Sequence, residues 1–218
     1  MGKKALVVKK SNYPIAAYHD PVKFGHLVNN LKSDDFFNDT AVGLFDRVFA
    51  ETDDNYLQVI PYIALTNEKN EIFIYTRGSL SEEGRLTGKC SIGLGGHIEE
   101  APTDTKSLRN IVDEAARREL LEEVGIDYDF SNAVYSIMYF PGDPVGAVHL
   151  AVMTVIHVKS TDLGEMEAGV ITKGKWVSLN LVKDYMVENT LVFEPWSDLL
   201  LAGILNGMNS SIVEEQTI

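Results

Sequence analysis

The spacing of apolar and polar positions changes several times along the 218-residue chain. Residues 4–9 (Lys-Ala-Leu-Val-Val-Lys) read as a short strand. Phe24, Leu27, Val28 and Leu31 recur at helical spacing, which predicts a mostly helical stretch over 21–50. A polar patch from Ser33 to Thr40 interrupts it, and Ala41 to Ala50 resumes it. Glu51-Thr52-Asp53-Asp54-Asn55 is turn-rich and marks a boundary between an extension, 1–56, and a domain, 57–218.

Beyond that boundary the pattern becomes strand-like. Leu57 to Leu65 is apolar and β-branched, Asn67 to Asn70 is a turn, and Glu71 to Thr76 alternates, so the three together predict a hairpin. Ser91 to Leu94 is a short strand ending at Gly95-Gly96. Thr105 to Val124 reads as a helix, capped by Thr105 or Ser107 and stopped by Gly125. Ala133 to Phe140 and Ala147 to Val158, joined by Pro141-Gly142-Asp143-Pro144, predict a second hairpin. Gly174 to Leu179 adds a strand, and 180–187 and 194–207 read as terminal helices. Strands and hairpins interleaved with helices imply an α/β architecture with a mixed, helix-covered sheet.

Composition narrows the functional classes. The formal net charge is −13, a surface that repels nucleic-acid backbones but accepts a small phosphorylated ligand through a divalent cation. No apolar run approaches the roughly 18 residues of a membrane span. Residues 1–10 lack a signal-type core, so the expectation is a cytoplasmic protein without a membrane partner. Cys90 is the only cysteine, which excludes an internal disulfide, and it reads as a small buried hydrophobe.

The chemistry concentrates on the predicted helix. Glu119, Glu122 and Glu123 lie at i, i+3 and i+4, within one arc of roughly 100° beside the apolar stripe. Three neighbouring like charges destabilise a helix unless a partner offsets them. One arrangement is a solvated acidic face with Glu114–Arg118 and Arg118–Glu122 ion pairs; the other is a hard cation such as Mg²⁺ held by the carboxylate oxygens.

The whole string Arg118-Glu119-Leu120-Leu121-Glu122-Glu123-Val124-Gly125-Ile126 resembles the second half of the Nudix box at every fixed position. Gly95-Gly96-His97-Ile98-Glu99 resembles its glycine-rich start, and Arg77 and Trp176 resemble parts of the wider domain, so the likeness covers about 57–200. The Gly-Leu-Gly-Gly-His-Ile run also resembles a small branch of predicted MutT-type phosphoesterases. The resemblance implies a Nudix α/β/α sandwich, here with a helical N-terminal extension. It also implies an Mg²⁺- or Mn²⁺-dependent pyrophosphohydrolase acting on a nucleotide or other small phosphorylated metabolite. By position, Glu119, Glu122, Glu123 and the Gly95 carbonyl become metal ligands, and Arg118 orients the carboxylates.

The match breaks in one place. Arg118 lies eight positions farther from Gly96 than the box requires. The glutamate expected early in the helix is replaced by Asn110, counting back from Arg118, or by Pro102, counting forward from Gly96. Glu99, Glu100 and Asp104 in the lengthened loop could each supply the missing carboxylate. Outside the box, Glu165 and Glu167 are candidates for an additional acid, and Arg77 and Arg85 for phosphate contacts. His97 reads as a structural or substrate-facing residue, and His149 and His157 as parts of the scaffold. Residues 1–56 are candidates for a dimer contact or a lid. Two alternatives follow from the same residues: a nucleotide-binding sensor that does not turn over, favoured by Asn110, and an isopentenyl-diphosphate-type isomerase, which Cys90 fits poorly.

Overall fold

Strand β3, Tyr56–Asn67, is the axis of the sheet. The structure is a computed structural model that describes residues 2–13, 36–38, 42–81 and 83–215, the last nine as helical backbone only. On one edge β3 pairs antiparallel with β1, Lys4–Lys9, which in turn pairs with β2, Val42–Asp46. Farther along the same edge it forms a hairpin with β4, Glu71–Arg77, around Asn70, whose φ is 58°. The short strands β5 (Cys90–Ser91) and β6 (Gly93–Leu94) pair with β4 and β3 respectively. Parallel to β3 runs β8, His149–Val158, in register from Gln58↔His149 to Asn67↔Val158. β7 (Ser136–Met138) pairs antiparallel with β8, and β9 (Ile171–Ser178) with β4.

The near-continuous apolar run of β3 is explained by burial on both faces. Leu57, Val59, Ile63 and Leu65 enter the main core, while Ile60 and Tyr62 pack on the other side with Trp196. β4 divides in the same way, with Phe73 and Tyr75 on one face and Ile72 and Ile74 on the other. A short helix, α1 (Arg47–Ala50), follows β2. The main core is covered by α2, Leu108–Val124, through Leu108, Ile111, Val112, Ala115, Ala116, Leu120 and Val124. The opposite face is covered by α3, Val182–Glu188, and α4, Pro195–Glu215. This is the expected α/β/α sandwich with a mixed sheet.

Several expectations are corrected. Of the helix expected over Ala41–Ala50, Val42–Asp46 is a strand and Arg47–Ala50 is helical. Valine and phenylalanine favour a strand here despite Gly43, and the Asp46 side chain caps the short helix by accepting from the Val48 N–H at 3.1 Å. The proposed helix carrying Phe24 to Leu31 lies outside the described residues. α2 begins later than Thr105, with Ser107 as its N-cap. The second hairpin is shorter than its apolar pattern because Asp143 accepts the N–H groups of Val145 (2.8 Å) and Gly146 (3.0 Å), turning 145–148 out of the strand.

Candidate functional site

α2 is fixed at both ends. Ser107 and Asn110 form a reciprocal capping box, and Gly125, at φ 69°, closes the C-terminus by donating to Leu120 and Leu121 carbonyls. The buried stripe then orients the carboxylate arc at the rim of the sheet. Glu123, beside the stripe, is 5% exposed.

The glycine loop reaches this arc because it lacks side chains. Gly95 has φ +152°, and a Cβ there would lie 1.9 Å from the Pro61 carbonyl oxygen. A Cβ on Gly96 would lie 2.6 Å from Glu119 Oε1. The approach lets the Gly95 N–H donate to Glu123 Oε2 at 3.0 Å. The loop between β8 and β9 docks on the end of α2, where Gly164 donates to the Val124 carbonyl (2.8 Å) and Glu167 to the Glu123 carbonyl (2.9 Å).

These elements enclose a cleft of about 330 Å³. It is lined by Gly95, Arg118, Glu119, Glu122, Glu123, Glu167 and Arg77 among the expected residues. Arg118 places NH2 2.6 Å from Glu119 Oε1 and NH1 3.1 Å from Glu122 Oε2, and it also donates to the His97 carbonyl at 3.0 Å. One guanidinium therefore ties two carboxylates to the glycine loop. Burial pushes the Glu123 carboxyl up to about 8; the Arg77 charge opposes this, while the Glu119 and Glu167 charges reinforce it. Among the described residues its hydrogen bond is the one from Gly95. An all-oxygen donor set containing a buried, under-compensated carboxylate fits a hard divalent cation.

The structure also sorts the residues left open. Asn110 serves the helix cap and does not line the cleft. Glu99 does line it, whereas Glu100 pairs with Lys106 at 2.7 Å and Asp104 lies outside the lining. Glu165 is exposed and outside the lining. Arg85 lies apart from the cleft, paired with Glu83 (2.5 Å) and Glu51 (3.0 Å). Arg77 is in the cleft, but its guanidinium is forked onto Glu194, at 2.6 Å from Nε and 3.3 Å from NH2.

Glu194 escaped the sequence reading. It is 2% exposed and also accepts from Tyr62 (2.6 Å) and Ser91 (2.7 Å). Its one signal is its place before Pro195 at the first turn of α4, a position suited to an acidic cap. Trp196, Tyr62 and His149, in mutual ring contact through Trp196, add an aromatic patch to the cleft lining. Cys90 is buried beside Thr76, and burial raises its thiol pKa, in keeping with a packing role.

No protein-family model matches the chain. Protein YmaB of Bacillus subtilis (strain 168) is 30% identical over 154 residues, covering 70% of this chain and 73% of YmaB. Tm1382, which carries a provisional Nudix hydrolase description, superposes with a TM-score of 0.63 at 22% identity, covering 94% of this chain and 99% of the other. The Nudix domain of Shewanella oneidensis NrtR, solved with ADP ribose, superposes with a TM-score of 0.51 at 11% identity, covering 70% and 88%. On this identity across most of both chains the protein belongs to the family of protein YmaB, and its fold is that of the Nudix hydrolase structures.

Proposed function

We propose that the protein is a divalent-metal-dependent hydrolase that cleaves a phosphoanhydride bond in a nucleotide or another small diphosphate-linked substrate. The observation that carries this reading is the convergence of Glu119, Glu122, Glu123 and Gly95 on one cleft, with Arg118 bridging two of the carboxylates. The catalytic unit is taken to span 57–218, with 1–56 as an added segment. Glu119, Glu122, Glu123 and the Gly95 carbonyl would hold Mg²⁺ or Mn²⁺. When bound, such an ion offsets the clustered negative charge and polarises a phosphoryl oxygen.

The chain's own groups supply the rest. Arg118 keeps Glu119 and Glu122 at fixed separation, so the oxygen donors are preorganised rather than assembled on binding. Glu167, held by its backbone at the end of α2 and lining the cleft, would accept a proton from an attacking water. The patch of Trp196 and Tyr62 offers an apolar face to the leaving group.

A second reading, a nucleotide sensor without turnover, gains from one observation: Asn110 is a helix cap, so the usual helix-start carboxylate is absent from α2. A panel of nucleoside diphosphate derivatives with Mg²⁺ separates the two. Release of phosphorylated products supports the hydrolase, and saturable binding without product across the panel supports the sensor.

A further inference from the structure

Beside the carboxylate arc, the same cleft contains a nitrogen-rich cluster that the proposed hydrolysis does not use. His97 and His149 both line the cleft, at 8% and 2% exposure, with Nε2 atoms 3.3 Å apart. Glu51 Oε1 lies 3.8 Å from His149 Nε2, and one ligand atom from each of the three residues falls within 4.8 Å of the others. We infer that Glu51, His97 and His149 form a second cation site, selective for a Zn²⁺-class transition metal and distinct from the oxygen site on α2. This inference stands without the hydrolase reading.

The donor chemistry sets the class of ion. Imidazole nitrogen suits Zn²⁺ and its neighbours, whereas Mg²⁺ takes oxygen ligands. Two nitrogens bound at about 2.1 Å with bond angles near 90–109° lie roughly 3.0–3.4 Å apart, and the observed separation is 3.3 Å. The carboxylate, 3.8 Å from His149 Nε2, would need to close on that nitrogen by several tenths of an ångström. Two imidazoles and one carboxylate leave coordination positions open towards the cleft, where water or a phosphoryl oxygen can bind.

Each donor is also held from behind, as metal ligands are. His149 Nδ1 lies 2.7 Å from the Val145 carbonyl. That contact requires the proton on Nδ1 and leaves the Nε2 lone pair facing His97. Glu51 accepts from Gln58 Nε2 at 3.1 Å and from Arg85 at 3.0 Å. The His97 carbonyl is fixed by Arg118 at 3.0 Å.

An independent observation points to a missing group. Gln58 is fully buried, is in register with His149 across the parallel pair, and donates to Glu51, yet its Oε1 has no hydrogen-bond partner. A buried orphan oxygen beside a ligand cluster is the kind of acceptor that a metal-bound water satisfies. The three ligands come from the turn after α1, the glycine loop and the start of β8. A bound ion would therefore tie the N-terminal segment to the cleft.

Cobalt is the probe, because its visible absorption reports nitrogen coordination. The metal-stripped full chain is titrated with Co²⁺ by absorption and equilibrium dialysis. The expected result is one equivalent with a visible band, displaced by Zn²⁺ and resistant to a hundredfold excess of Mg²⁺. Glu51→Gln and His97→Gln weaken it at least tenfold, and His149→Gln abolishes it. Glu123→Gln retains it, which separates this site from the oxygen site whether or not the protein hydrolyses anything. Circular dichroism checks each fold, and should His149→Gln not fold, half-buried Glu51 carries the test. Absence of a band in the wild type, an unchanged band in Glu51→Gln and His97→Gln, or loss of the band in Glu123→Gln alone would overturn the inference.

Discussion

Glu123 occupies a position that is costly for a carboxylate, buried and facing other acids. Its folded-state carboxyl is pushed up to about 8, above its ordinary value, so folding without metal favours the protonated form. The sign follows. The position costs little below the unfolded value near 4.5, and stability falls as pH rises from there through about 8. Metal binding needs the ionised form, so stabilisation by Mg²⁺ grows over the same window. Thermal melts of the metal-free protein between pH 5 and 8 should show a decline that Glu123→Gln flattens, and a parallel profile in the variant would contradict the assignment. Asn110 is the second informative residue. It occupies the third position of a capping box, where glutamate is equally at home. Asn110→Glu is therefore expected to leave Mg²⁺ affinity and stability nearly unchanged, whereas Glu99→Gln weakens Mg²⁺ binding several-fold, both read by calorimetric titration.

At the scale of elements, α2 is both the core's main lid and the carrier of the carboxylates. Leu120 is 0% exposed between Glu119 and the Glu122–Glu123 pair. Leu120→Ala should cost about 2–5 kcal/mol in urea unfolding and should weaken metal binding as the helix loses its seat; a loss below about 1 kcal/mol would mean that the stripe does not hold the arc. The sequence made this helix legible because periodicity, a serine cap and a terminal glycine agree on it. The β3–β4 hairpin was legible for a similar reason, through its Asn67–Asn70 turn. The 42–46 segment was misread because a short apolar run fits helix or strand, and the choice is made by pairing with β1, which no local pattern shows. The cleft's far side was invisible for the same cause. Glu194 meets Arg77 and Tyr62 across more than a hundred residues, and His149 meets His97 across fifty-two.

At the scale of the molecule, a mixed sheet covered on both faces brings one acidic helix, one glycine loop and the start of α4 to a single cleft. Among the described residues, no helix is long and apolar enough to cross a membrane. The acidic chain accommodates a phosphorylated ligand only where cations or guanidinium groups reverse the local sign. Arg77 is already balanced by Glu194 and Arg118 by Glu119 and Glu122, so on the proposed reading a metal would do this at the carboxylate arc. The account rests on that dependence. The most direct measurement compares product release from the best substrate of the nucleoside diphosphate panel, with Mg²⁺, between the wild type and Glu123→Gln. Turnover that falls by about two or more orders of magnitude in a variant with an unchanged circular dichroism spectrum is the predicted result. Near-equal turnover in the two proteins would contradict it.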